Sequence, residues 1–211
     1  MQIKRKKNAL FPAFILFFTV FALPLHHYFI YKVRMTILEH LQTRAFARID
    51  GAYLGILWTI SFACYIMGLS QPVIGMIGTA TALATPFFAA RRLGKFRDEV
   101  LDGSITTHRF IIHTLYMFFY ASILFAVAQY AYFEFIDDGF IVRQYTGMMS
   151  SPEAQELLKA YGLTVKQAME SIEQLADTTP IAIAVNIMGM NLVLGLLLTI
   201  PVNVMTRKNK K

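Results

Sequence analysis

Asp98, Glu99 and Asp102 lie close together in the stretch GKFRDEVLDGSITTHRF (Gly94 to Phe110), which also carries Lys95, Arg97, His108 and Arg109. Carboxylates beside arginines at this spacing serve either as a general acid and base or as a polar turn between two apolar helices. Acid–base work requires a pocket that moves the carboxyl pKa values away from those of free side chains. A short polar stretch between two long apolar runs offers no such pocket, so the turn is the better reading. Arg91, Arg92, Lys95 and Arg97 are expected to meet lipid phosphates or dock a peripheral protein at the membrane surface. Asp102-Gly103 suits a turn, and Ser104 or Thr106 can cap the helix that follows.

The remaining candidates for chemistry are sparse. His26 and His27 are adjacent and His108 and His113 are five apart, whereas two metal ligands on one helical face need a spacing of three or four. Asp137-Asp138 precedes Gly139, a common turn composition. The sequence contains no G-x-S-x-G, no Gly-rich phosphate loop and no H-E-x-x-H. The single cysteine, Cys64, can form neither an internal disulfide nor a cysteine-based metal cluster. A non-enzymatic chain with no cofactor and no metal is expected.

The elements that must position these residues are set by composition. Of 211 residues 56% are hydrophobic and only 16% charged, with 18 Phe, more apolar surface than one soluble core can hide. The solvent is therefore a bilayer, and the net charge of +7 points to anionic headgroups rather than to nucleic acid. Four apolar segments approach or exceed the roughly 20 residues that cross about 30 Å of hydrocarbon: Gly51 to Leu69, Pro72 to Ala90, Phe110 to Phe133 and Pro180 to Met205. The first two are separated only by Ser70-Gln71 and must form an antiparallel hairpin. A further apolar run, Ala9 to Tyr31, follows Lys4, Arg5, Lys6 and Lys7. It has three open readings: a fifth span, an interfacial helix, or sequence upstream of a true start at Met35.

The fold class is thus all-α, an integral membrane bundle of four core transmembrane helices with an N-terminal apolar helix of open status. Residues 1–45 form a basic and apolar extension, 46–206 the four-span domain and 207–211 a basic tail. Between spans, residues 135–179 form an extracytoplasmic loop with two short amphipathic helices. One starts at the Ser151-Pro152 cap, and the other at a Thr164 to Gln167 capping box. Lysine and arginine mark the cytoplasmic side. The 91–109 loop and the tail are rich in them and the 137–177 loop is poor, which places the C-terminus in the cytoplasm.

Within the spans, small residues recur at every fourth position: Ala47, Gly51, Gly55, Thr59 and Ala63 on one helix, and Gly78, Ala82, Pro86 and Ala90 on the next. Such ridges admit close backbone approach, and the hairpin is expected to pack through Gly51, Gly55, Gly78 and Ala82. The intramembrane polar residues are Gln129, Asn186 and Asn191, with His113 and Glu134 near the ends of their helix. Asn186 and Asn191 read as interhelical hydrogen-bond donors and acceptors rather than as an ion path.

The arrangement FRDE, then DGSIT, then a long aromatic span ending in YFEFIDDGF resembles the bacterial membrane-protein family named domain of unknown function 4199. The resemblance also takes in the SQP hairpin and the final PIAIAVN span, covers residues 45 to 206, and does not extend to the first 45 residues. It implies a four-helix inner-membrane protein with no assigned activity and therefore no catalytic residues to carry over. The expected function is a scaffold or partner subunit for an envelope or lipid-linked assembly process, in contact with lipid and with a membrane or peripheral protein. The alternative is a small transporter or channel subunit working as a homo-oligomer.

Overall fold

The computed structural model describes residues 35–206; the apolar run at 9–31 and the basic tail lie outside the described residues. Every regular element among them is helical. The first, α1 (Ile37–Gly68), is 32 residues long, so at about 1.5 Å per residue it reaches about 48 Å and overruns the hydrocarbon. It starts at a reciprocal cap, in which the Thr36 backbone N–H donates to the Glu39 carboxylate (2.8 Å) and the Glu39 N–H to the Thr36 hydroxyl (3.3 Å). The compact unit that holds all the features below begins at Leu41.

The second apolar segment departs from expectation. Instead of one continuous helix over 72–90, α2 (Pro72–Leu83) and α3 (Thr85–Lys95) meet at Ala84, and the chain bends by 42° there. Pro86 is the cause. It has no N–H to donate to the Ala82 carbonyl, so the ladder breaks one turn before it. At 12 residues, α2 alone is too short to cross a bilayer. Among the described residues there are therefore three helices that span by length and composition, and four if the bent pair crosses as one.

Beyond α3 the helix continues as a π-helical turn, Phe96–Val100, and ends at Asp102 (φ 51°) and Gly103 (φ 82°). These two left-handed residues reverse the chain. Helix α4 (Thr107–Phe135) then starts at Thr106, whose hydroxyl accepts the Arg109 N–H at 3.3 Å. A second left-handed turn at Asp138-Gly139 leads into α5 (Phe140–Met149), α6 (Pro152–Ala160) and α7 (Val165–Ala176). The Ser151 cap and the Thr164 capping box are both present, but three helices occupy this loop where two were expected. The extra one, α5, has the left-handed Gly139 at its N-cap and no side-chain cap, so it lacks the signal that marks its neighbours. The last element is α8 (Pro180–Thr206).

Helix α4 is the central post, packed against both α8 and α1. A Cβ on Gly195 of α8 would fall 2.6 Å from the Phe118 ring. Gly51 and Gly55 of α1 also face α4: a Cβ there would lie 2.6 Å from the Met117 carbonyl oxygen and 3.0 Å from Leu124, respectively. The small-residue ridge of α1 thus meets α4 rather than its hairpin partner. The hairpin closes on another face of α1, where the Ser61 hydroxyl donates to the Gly78 carbonyl (2.8 Å) and Gly68 abuts Gly75. Ser61 is six residues beyond Gly55, about 240° further round the helix, so one ridge cannot serve both neighbours. Leu54, Trp58, Leu93, Phe96, Phe110, Met117 and Phe118 fill the core between α1, α3 and α4.

Candidate functional site

The polar groups of the bundle converge on Asp50. This carboxylate stands fourteen residues into α1 and is 3% exposed. Arg92, in the last turn of α3, donates to it from Nε and Nη2, both 2.6 Å from Oδ1. His113 of α4 is fully buried and sets its Nε2 3.2 Å from Asp50 Oδ2. That approach is close enough for an ion pair, but it lies off the line of an N–H donor, and neither ring nitrogen of His113 has a well-directed hydrogen bond. One carboxylate therefore ties together α1, α3 and α4.

Aromatic rings close the cluster off. Phe96 stacks on the His113 imidazole with centroids 4.5 Å apart, and the Arg109 guanidinium lies 5.5 Å from the Phe96 ring centre. Arg109 itself donates to Thr43 (2.9 Å) and to Gln42, while the Arg92 guanidinium sits 4.7 Å over Tyr53. The local sequence makes this possible. The π-helical turn at Phe96–Val100 swings Phe96 into the core, and the overlong α1 carries Gln42, Thr43 and Asp50 alongside the first turns of α4.

Arg97 has an equally internal role. It pairs with Asp98 (2.7 Å) and donates from Nη1 to the Thr206 carbonyl at the end of α8. The last carbonyls of a helix have no intrahelical partner and carry the negative end of its dipole, so a guanidinium there clamps α8 to the turn. Arg92 and Arg97 were expected at the headgroups and are instead engaged inside the protein. Only Arg91 and Lys95 of the four remain exposed. The polar stretch from Gly94 stays helical to Val100 and turns only at Asp102-Gly103, and its arginines Arg97 and Arg109 are buried.

The intramembrane amides separate. Gln129 is 2% exposed and its Oε1 has no partner. Asn191 points its Nδ2, also unpartnered, into the bundle, where it lines a cavity of about 320 Å³ with Trp58, Thr79 and Phe125. Ala82 borders the same cavity and is exposed rather than packed. Asn186 is exposed on α8. Five residues turn about 140°, which is why the two asparagines face different ways and bond no common neighbour.

Chemically, the site sets the Asp50 carboxylate against the Arg92 guanidinium with the His113 imidazole beside them. Among the described residues no three His, Cys, Asp or Glu side chains gather as metal ligands. Asp50 escaped the sequence reading because it directly precedes an apolar run and looked like the flank of a span. The missing signal was the unbroken helix from Ile37, which carries Asp50 well into its length.

The model of a family described as protein of unknown function (DUF4199) matches residues 50–208. The chain belongs to the DUF4199 family. The matched region begins at Asp50 and takes in Arg92, Phe96, Arg97 and His113, so the whole Asp50 cluster lies within the DUF4199 region, whereas Gln42 and Thr43 precede it. No curated protein and no solved structure matches the chain. Together, the family and the long apolar helices describe a multi-pass membrane protein built as an all-α bundle.

Proposed function

We propose that this DUF4199 protein is a non-enzymatic scaffold or partner subunit of the bacterial inner membrane, serving an envelope or lipid-linked assembly process, with its C-terminus in the cytoplasm. The observation that carries this reading is the state of α8. It is the most apolar of the long helices, yet only 11% of its most apolar window is buried against the rest of the chain, compared with 33% for α1 and 39% for α4. Asn186 stands exposed on it. An amide facing hydrocarbon costs free energy that a partner helix recovers by hydrogen bonding. At the other end of the bundle, exposed Arg91 and Lys95 give a soluble portion of that partner a basic edge to meet.

The internal pairing of Asp50, Arg92 and Arg97 supports the same reading, since it devotes the charged groups to holding helices together. A photo-reactive residue placed at position 186 in native membranes tests it. A single discrete protein adduct is expected; adducts with lipid alone contradict it. The second reading, a small transporter or channel subunit working as an oligomer, is favoured by one feature, the buried Asp50–His113 approach, because ionisable groups within spans often mark ion or proton paths.

A further inference from the structure

At the opposite end of the bundle from Asp50, a cavity of about 410 Å³ is lined by Phe133, Asp137, Arg143, Leu175, Thr178 and Ile183. Phe133 belongs to the last turns of α4 and Ile183 to the first turn of α8. The cavity therefore sits where two membrane-crossing helices end, at the level where hydrocarbon gives way to lipid headgroups.

Its charged groups, Asp137 and Arg143, line the same cavity without pairing with each other. Asp137 is 8% exposed, and its Oδ1 accepts from the Tyr132 hydroxyl (3.0 Å) and the Ile141 N–H (3.2 Å). Its second oxygen has no partner, and no basic side chain pairs with it among the described residues. A buried carboxylate without a cation is costly, and this one borders open space. On the same cavity wall, the left-handed Asp138-Gly139 turn carries Arg143, which donates from Nη1 to the Asp138 carbonyl (2.6 Å) and is otherwise exposed. Guanidinium groups favour phosphate through paired N–H donors.

A ligand that satisfies both groups carries an ammonium and a phosphate side by side, with an apolar body for Phe133, Leu175 and Ile183. We propose that this cavity binds phosphatidylethanolamine, with the ammonium against Asp137, the phosphate against Arg143 and the glycerol and first acyl carbons against Phe133 and Ile183. The site is independent of any protein partner. Choline lipids are disfavoured because a quaternary ammonium has no N–H to donate to the carboxylate, and phosphatidylglycerol because its headgroup brings no cation.

The test uses the full chain, purified in mild detergent, delipidated, and titrated with short-chain phosphatidylethanolamine, phosphatidylcholine, phosphatidylglycerol and soluble phosphoethanolamine while melting is followed. Phosphatidylethanolamine is expected to bind about tenfold tighter than the other two lipids, the ratio that about 1.4 kcal/mol confers. Asp137→Asn keeps an oxygen acceptor for Tyr132 and Ile141 and should remove that preference. Arg143→Gln, at an exposed position and with a side-chain amide N–H in place of the guanidinium, should weaken phosphatidylethanolamine and phosphatidylcholine together. Equal binding of the three lipids, a preference that survives Asp137→Asn, or binding unchanged by Arg143→Gln overturns the proposal. Soluble phosphoethanolamine binding as tightly as the lipid overturns the lipid assignment.

Discussion

Asp50 Oδ2 and His113 Nε2 lie 3.2 Å apart in the interior, with Arg92 bonded to the other carboxylate oxygen at 2.6 Å. Removing one member of a buried pair strands the other charge, and the expected loss is roughly 3–5 kcal/mol. Asp50→Leu should therefore lower the melting temperature sharply. Asp50→Leu combined with Arg92→Met should recover most of that loss, because no charge is left behind. A single substitution that costs less than about 1 kcal/mol would show that water screens the pair as it screens a surface pair.

Arg97 and Lys95 stand two residues apart and should respond differently. Arg97→Ala removes the donor to the Thr206 carbonyl at the end of α8, and a hydrogen bond from a charged group of this kind is worth about 1.5–3 kcal/mol. Lys95 is exposed, so Lys95→Ala should stay within about 0.5 kcal/mol. Thermal melting in one detergent compares the two. Equal effects would contradict the inward role of Arg97.

Gly51→Ala should destabilise more than Gly55→Ala. At Gly51 the added carbon lies 2.6 Å from the Met117 carbonyl oxygen and 2.7 Å from the Tyr120 Cβ, while at Gly55 its nearest neighbours, the Leu124 Cβ and the Ala121 carbonyl oxygen, stand at 3.0 and 3.1 Å. Contacts of about 3 Å are relieved by shifts of a few tenths of an ångström and those at Gly51 require more, so the loss at Gly51 is expected at roughly 1–3 kcal/mol. Equal losses at the two positions would contradict the closer approach at Gly51.

Much of this architecture is legible in the sequence. Apolar run length marks the three long spans, Ser151-Pro152 and Thr164 to Gln167 mark two of the short helices between spans, and Asp102-Gly103 marks the turn. What the sequence hides is pairing between elements far apart in the chain. Asp50 and Arg92 are 42 residues apart and His113 a further 21, and each alone resembles the flank of a span. The partner of the Gly51 ridge is hidden for the same reason, because periodicity identifies a face without saying what covers it. Pro86 was visible, yet it stood within an apolar run long enough to read as continuous.

Tyr145 of α5 shares a hydrogen bond with Tyr65 at the end of α1. Its phenol is pushed up to about 12 from an ordinary value of 10.0, chiefly by burial and then by the bond with Tyr65. The folded state therefore holds this proton to higher pH than the unfolded state does. The resulting stabilisation is fully present below pH 10 and is lost as pH rises towards 12. Tyr145→Phe should flatten the fall in melting temperature across that window. An unchanged pH profile would show that Tyr145 does not tie α5 to α1.

Recovery of a partner from mild detergent tests the central claim most directly. Parent protein, Asn186→Leu and the double variant Arg91→Glu with Lys95→Glu are purified side by side, and co-purifying proteins are identified and quantified. One protein should accompany the parent at fixed stoichiometry and be depleted in both variants, which should melt like the parent because the altered side chains are exposed. A parent that purifies alone and conducts ions when reconstituted in liposomes, with conduction lost in His113→Gln, would contradict the scaffold reading and establish the transport one.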